Sequence, residues 1–186
     1  CSHCGTSLSE HELSDSYMDM THTAVFFRLP IKNSDMDMLV WTTTPWTLSA
    51  NVAIAVNPEF EYSVCKVKGS DRKLVVCSSC TKVLKKDLES VEKVLKGSDL
   101  VGLEYETCFP QLEKQNFVHK IVAWDMVDNT EGSGAVHIAP GCGVEDFELG
   151  KTLDLPMICP VNENGIFYDD FGFLAGKETT EVADLV

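Results

Sequence analysis

Met38-Leu-Val-Trp-Thr-Thr-Thr-Pro-Trp-Thr-Leu-Ser-Ala-Asn-Val-Ala-Ile-Ala-Val56 is the stretch from which the fold can be read. Its first seven residues, Met38 to Thr44, are rich in apolar and β-branched side chains and predict a strand, which Pro45 ends because proline cannot donate to a sheet ladder. Val52 to Val56 predicts a second short strand, closed by Asn57-Pro58. Between them, three consecutive hydroxyls and the polar residues of Pro45-Trp46-Thr47 and Asn51 fall on a strand-to-turn corner, where a backbone scaffold can present donors and acceptors to a ligand. Threonines are also ordinary strand formers and tryptophans ordinary core anchors, so the corner alone does not define a site.

Outward from this stretch the pattern stays β-rich. Ala24 to Leu29 reads as a strand before it, and Tyr62 to Val67 followed by the turn Gly69-Ser-Asp71 and a strand at Lys73 to Cys77 reads as a meander after it. Leu84, Leu88, Val91 and Leu95 recur at helical spacing with Gly97 placed as a C-cap, which predicts an amphipathic helix over about Thr81 to Lys96. Strands are expected near Leu100 to Tyr105, from Phe117 to Met126 and from Ala135 to Ile138. Val144 to Leu153 predicts a helix with Val144, Phe147 and Leu153 along one side, and with Glu145 and Asp146 in the first turn, where the helix dipole favours carboxylates. With no internal repeat and no linker, 186 residues give one mainly β domain with peripheral helices, an α+β class. A closed β-barrel is expected, since closure removes exposed edges.

Composition narrows the function classes. The chain is 44% hydrophobic and 24% charged, an ordinary globular balance that excludes disorder and low complexity. The longest apolar run is about as short as Val52 to Val56, against the roughly 18 residues a membrane span needs. A net charge of −14 disfavours a domain that coats nucleic acid. Eight cysteines without regular spacing do not make a disulfide scaffold, and a reducing cytoplasm is expected. Two C-x-x-C pairs stand out. Cys1-Ser-His-Cys4 matches half of a zinc knuckle, over residues 1–5, and Cys77-Ser-Ser-Cys80 repeats the spacing, although a thiol pair at a strand end reads more simply as reduced cysteines. The absence of an initiating Met suggests a piece cut from a larger protein.

A second polar constellation lies around Gly132-Ser-Gly-Ala-Val-His-Ile-Ala-Pro-Gly141. His137 stands at a strand end and Asp146 nine residues on, across a glycine-rich loop that can return the carboxylate to the histidine's side. A core histidine and a helix-capping carboxylate would give the same pattern.

Together, Trp41-Thr-Thr-Thr-Pro-Trp-Thr-Leu48 with Asn51, Gly132 to Gly141 with Asp146, and Leu155-Pro-Met-Ile-Cys-Pro-Val-Asn-Glu-Asn-Gly165 resemble the editing insertion, connective polypeptide 1, of isoleucyl-tRNA synthetase. The valyl and leucyl members share the Thr-rich strand and the Asp, but typically read Thr-Arg-Pro and lack the His at position 137. The resemblance covers nearly the whole chain and implies the closed barrel of the valyl, isoleucyl and leucyl editing domains. It implies a hydrolase for Val-tRNA(Ile), and for valyl-adenylate as a further substrate, acting as part of an isoleucine–tRNA ligase. Such a second sieve is needed because one missing methylene is worth only about 1–3 kcal/mol of discrimination, and isoleucine against valine in this same family is the standard example of that limit.

By the same resemblance, Asp146 holds the substrate's α-ammonium, Thr42, Thr43 and Thr44 line the ester and the side chain, and His137 limits the pocket and helps to place substrate and water. Trp41, Trp46 and Asn51 are supporting substrate-binding residues. The reaction implied is direct attack by an oriented water, without a metal, with the terminal adenosine's free ribose hydroxyl as a helper. A structural zinc in the full-length protein, a monomeric state, and the acceptor end of tRNA(Ile) and the rest of the synthetase as partners complete the expectation. Cys142 and Ser133 depart from the family pattern, at positions to which the resemblance gives no catalytic role. The competing class is a zinc-stabilised structural or interaction module, in which the cysteines are central and the Thr and His motifs merely pack.

Overall fold

A computed structural model describes Thr6, Ser9 and residues 24–182. The strands are β1 (Val25–Pro30), β2 (Met36–Thr42), β3 (Ala53–Val56), β4 (Glu61–Val67), β5 (Lys73–Cys77), β6 (Leu88–Lys96), β7 (Lys120–Ala123) and β8 (Ala135–Ile138). Among the described residues three α-helices accompany them: α1 (Gly97–Leu100), α2 (Val144–Leu153) and α3 (Thr179–Val182). All eight strands join one curled sheet in the order β6-β4-β5-β2-β8-β3-β7, with β1 antiparallel to β2 as a further branch. Its ends, β6 and β7, do not pair with each other, so the expected closed barrel is corrected to an open half-barrel.

β3 explains how the sheet carries two cores. Its residues, Ala53-Ile-Ala-Val56, are all buried, as expected of a strand covered on both faces. Ile54 and Val56 pack with Leu29, Met38, Val40, Val64 and Val75 on one side. Ala53 and Ala55 face Leu48, Leu149, Phe167, Phe171 and Leu174 on the other. The small alanines leave room there for the large aromatic residues of the 160–175 segment.

The segment expected as a helix over Thr81 to Lys96 is instead a 3₁₀ stretch, Ser78–Asp87, broken at Lys85 with a φ of 47°, followed by β6. β6 pairs antiparallel with β4 from Glu61↔Lys96 to Val67↔Leu88, and only Leu88 and Leu95 approach the core. Helical spacing of four apolar residues lost to the ladder that β4 offers, an override of local periodicity by tertiary pairing. The strand expected at Leu100 to Tyr105 is a helical turn, α1, followed by isolated bridges at Glu104 and Tyr105. The strand expected from Phe117 to Met126 is confined to β7, because Phe117 stacks on His119 rather than joining the ladder. α2 has the expected bounds, and its buried residues are Leu149 and Gly150, while Val144 is 75% exposed. Gly150 matters here, since a Cβ would meet the Pro140 ring at 2.9 Å.

β8 positions the site. It lies between β2 and β3, antiparallel to β3 (Ile54↔His137) and parallel to β2 through Trp41↔Val136. The end of β2, and the corner that follows it, therefore face the loop that leaves β8.

Candidate functional site

A pocket of about 290 Å³ opens between these two segments, lined by Trp41, Thr42, Thr43, Thr44, Trp46 and Thr47 on one side and by Val136, His137, Ala139, Cys142, Gly143 and Asp146 on the other. Seven of the eight residues expected to bind or react therefore meet at one place. The eighth, Asn51, does not. It is fully buried, donates from Nδ2 to the Ala53 carbonyl at 2.9 Å and accepts from the Tyr105 hydroxyl at 2.7 Å. Its work is to seat the corner on the core.

The corner is built by hydrogen bonds between near neighbours. Thr44 precedes Pro45 at the start of the 3₁₀ turn Pro45–Ala50, where the fixed proline φ suits the first helical position. Thr42 Oγ1 accepts from the Thr44 backbone N–H at 3.0 Å. Thr47 donates to the Thr44 carbonyl from its N–H at 3.1 Å and from its hydroxyl at 2.7 Å. The hydroxyls of Thr43 and Thr44 make no hydrogen bond with the described residues, which leaves both available to a ligand. Trp41 stacks at a tilt on Phe26, and its ring closes over Gly132, whose φ of 60° and missing Cβ let the ring approach to within 2.8 Å of where a Cβ would stand.

Opposite lies Asp146, in the first turn of α2. Its Oδ2 accepts from the Ala139 N–H at 2.8 Å, which holds the carboxylate at the pocket rim, and Oδ1 has no partner among the described residues. Burial pushes its pKa above the ordinary carboxylate value, against the pull of the Ala139 N–H and with a further push from Glu145. A half-desolvated carboxylate with one spare oxygen is a receptor for a cation.

His137 forms the wall between them. Only 8% of it is exposed, Nε2 is 3.0 Å from Thr47 Oγ1, and Phe27 meets the ring edge-on. Burial lowers its pKa to about 4, so the ring is neutral at physiological pH. Cys142 lines the floor, with its thiol pushed up to about 12 by burial, with Cys159 and Asp146 adding to it, so it supplies no thiolate nucleophile.

Thr47, Val136, Ala139, Cys142 and Gly143 were not assigned to the site by the sequence. Thr47 and Cys142 lie within or beside the quoted motifs, and only the partner that each meets across the sheet distinguishes them from packing residues.

Cys77 and Cys80 sit as packed thiols. Both are buried, Cys80 directs its Sγ toward the Asn129 carbonyl at 3.2 Å and the Glu131 carbonyl at 3.7 Å, and burial raises its pKa, the reverse of what a thiolate ligand needs. Among the described residues no group of three or more His, Cys, Asp or Glu could hold a metal ion. The half-knuckle at Cys1 and Cys4 lies outside the described residues.

The curled sheet has the fold of solved domains of leucyl-tRNA synthetases. The fold matches the crystal structure of GlLeuRS-CP1, with a TM-score of 0.60 over 70% of this chain and 60% of that one at 14% identity. It also matches the cytosolic leucyl-tRNA synthetase editing domain of P. knowlesi, with a TM-score of 0.53 over 64% of this chain and 52% of that one at 15% identity. No family model matches. The chain is homologous along nearly its whole length to one segment of the isoleucyl-tRNA synthetases. It is 39% identical to isoleucine–tRNA ligase of Methanothermobacter thermautotrophicus over 180 residues, 95% of this chain, and 38% identical to that of Thermoplasma volcanium over 182 residues, 97% of this chain. In both cases it spans 17% of the relative's length.

Proposed function

We propose that this chain is the editing unit, over residues 1–186, of an isoleucyl-tRNA synthetase, and that it hydrolyses valine wrongly esterified to tRNA(Ile), with valyl-adenylate as a further substrate. The observation that carries the reading is the opposition, across one pocket of about 290 Å³, of the spare carboxylate oxygen of Asp146 and the free hydroxyls of Thr43 and Thr44. An amino acid ester has a cation and a polarised carbonyl on the same carbon framework. Asp146 takes the α-ammonium, and the threonine corner holds the ester and the side chain.

His137, neutral and packed against Phe27, bounds the space left for the side chain, so that valine enters and the extra methyl group of isoleucine is turned away. Water attacks the carbonyl carbon and the ribose oxygen leaves with the tRNA. Positioning, with the free ribose hydroxyl beside the bond being broken, supplies the rate. No step uses a metal. The acceptor end of tRNA(Ile), the remainder of the synthetase, a cytoplasmic setting and a monomeric state belong to the same proposal, as does a structural zinc at Cys1 and Cys4 in the full-length protein. No helix among the described residues is long and apolar enough to cross a membrane.

The test is Asp146→Ala in the full-length synthetase. Hydrolysis of Val-tRNA(Ile) should collapse while isoleucine activation persists, because a charge-assisted contact worth roughly 1.5–3 kcal/mol is lost at the α-ammonium. Editing at the wild-type rate would remove Asp146 from the role given to it.

A further inference from the structure

The contact between Thr47 and His137 can be read by counting hydrogens. Thr47 Oγ1 is 2.7 Å from the Thr44 carbonyl oxygen and 3.0 Å from His137 Nε2. A carbonyl has no proton to give, so the short contact uses the single proton of the Thr47 hydroxyl. The only proton then available to the longer contact is on Nε2, which donates to Thr47 Oγ1. Nδ1 is left as a bare lone pair, and it is buried without a partner. The reverse tautomer would strand an N–H at that same position and leave two oxygens at 2.7 Å with no proton between them; orphaned buried N–H groups are the rarer of the two faults. The chain thus has one ring state that satisfies the corner.

We propose that Thr47 is a positioning residue, locking His137 in the Nε2–H tautomer with its proton turned onto the threonine corner, so that the ring serves as a fixed wall and not as a proton carrier. Thr47 spends its one hydroxyl proton on Thr44 and an acceptor lone pair on His137. A ligand therefore meets the free hydroxyls of Thr43 and Thr44, held in place by a pair of side chains ninety residues apart in the chain. Only the activity readout below rests on the hydrolase reading; the tautomer is a property of the unliganded chain.

The experiment is a long-range ¹H–¹⁵N correlation spectrum of the chain labelled at histidine, with the His137 signals assigned by their loss in His137→Asn. The wild type should show a protonated Nε2 and an unprotonated Nδ1. Thr47→Val, which keeps the shape and removes the hydroxyl, should turn the pattern into an average of both tautomers, and Thr47→Ser should restore it. Deacylation of Val-tRNA(Ile) should fall on the order of tenfold in Thr47→Val, the worth of one hydrogen bond, and recover in Thr47→Ser. A wild-type proton on Nδ1, or an unchanged single tautomer in Thr47→Val, overturns the proposal. Should Thr47→Val fail to fold, the wild-type and Thr47→Ser spectra decide, and Nδ1–H in either one overturns it. Spectra as expected from a chain that does not deacylate Val-tRNA(Ile) would uphold the lock and defeat the hydrolase reading instead.

Discussion

At the scale of single residues, His137 and Asp146 on opposite sides of the pocket are shifted in opposite directions by burial. His137 has its pKa depressed to about 4 from an ordinary 6.5. The unfolded chain therefore takes up the proton first as pH falls, and the stability His137 contributes is present above about 6.5 and lost on the way down to about 4, a change on the order of 3 kcal/mol. Urea unfolding of His137→Gln at pH 7 and pH 5 should show a smaller loss between the two than wild type. Asp146 has a raised pKa, so its ionised form costs stability at neutral pH. Asp146→Asn keeps an acceptor for Ala139 and removes that cost, and its melting temperature at pH 7 should exceed that of wild type while editing is lost, a trade of stability against function. His137→Ala tests the sieve. Ile-tRNA(Ile) should become a substrate, by the removal of a steric block worth about 1–3 kcal/mol, and the pH–rate profile of wild type should show no inflection near 6.5. That Thr42–Thr44, His137 and Asp146 gather at one pocket was legible through the resemblance of the motifs that carry them, since the residue types alone fit packing and capping equally well. The roles of Asn51 and Thr47 were not, since an amide or a hydroxyl near such a run can face either way, and it took Tyr105 and His137, from distant parts of the chain, to decide.

At the scale of elements, β6 is the place where local pattern and long-range pairing disagree. Were residues 81–96 an amphipathic helix, Val91 would lie on its buried face. In the strand it is 46% exposed on an edge. Val91→Lys should therefore change the free energy of unfolding by no more than about 0.5 kcal/mol, the ordinary range for surface substitutions, whereas a helix core position would lose several times as much. β8 behaves in the opposite way, because its surroundings tolerate nothing extra. A Cβ on Gly134 would stand 2.2 Å from the Cβ of Cys77, at a φ of 69°, and the Gly134 carbonyl also accepts from the buried Tyr62 hydroxyl at 2.7 Å. Gly134→Ala should cost roughly 1–3 kcal/mol or more, read as a lower urea midpoint with unchanged slope. The strands β5 and β8 were legible to the residue because turn signals precede them, at Gly69 to Asp71 and at Gly132 to Gly134. The stretch from Leu84 to Met126 was not, since its apolar residues suit either period and only partners elsewhere in the sheet select one.

At the scale of the molecule, sheet closure and net charge are what matter. A closed barrel was expected because closure removes exposed edges, but edges can also be left open, and here β1 branches from β2 while β6 and β7 stay apart. The charge of −14 bears on how the proposed substrate arrives. Most nucleic-acid binding weakens as added salt lessens the gain from counterion release, whereas an acidic body repels tRNA and salt screens the repulsion. The KM of this chain for Val-tRNA(Ile) should therefore fall as ionic strength rises from about 0.01 M, where fields reach about 30 Å, to about 0.1 M, where they reach about 10 Å. A steady rise of KM over that range would point to a basic surface contact. The insertion of β8 between β2 and β3 has a temporal meaning as well. During synthesis the Thr-rich corner emerges long before the strand that must slide in beside it, so a nascent chain can assemble β5 and β6 on either side of β4 from near neighbours while the cleft between β2 and β3 still waits for its wedge. The pocket, whose lining runs from Trp41 to Asp146, is therefore complete only once the chain beyond β8 has been made.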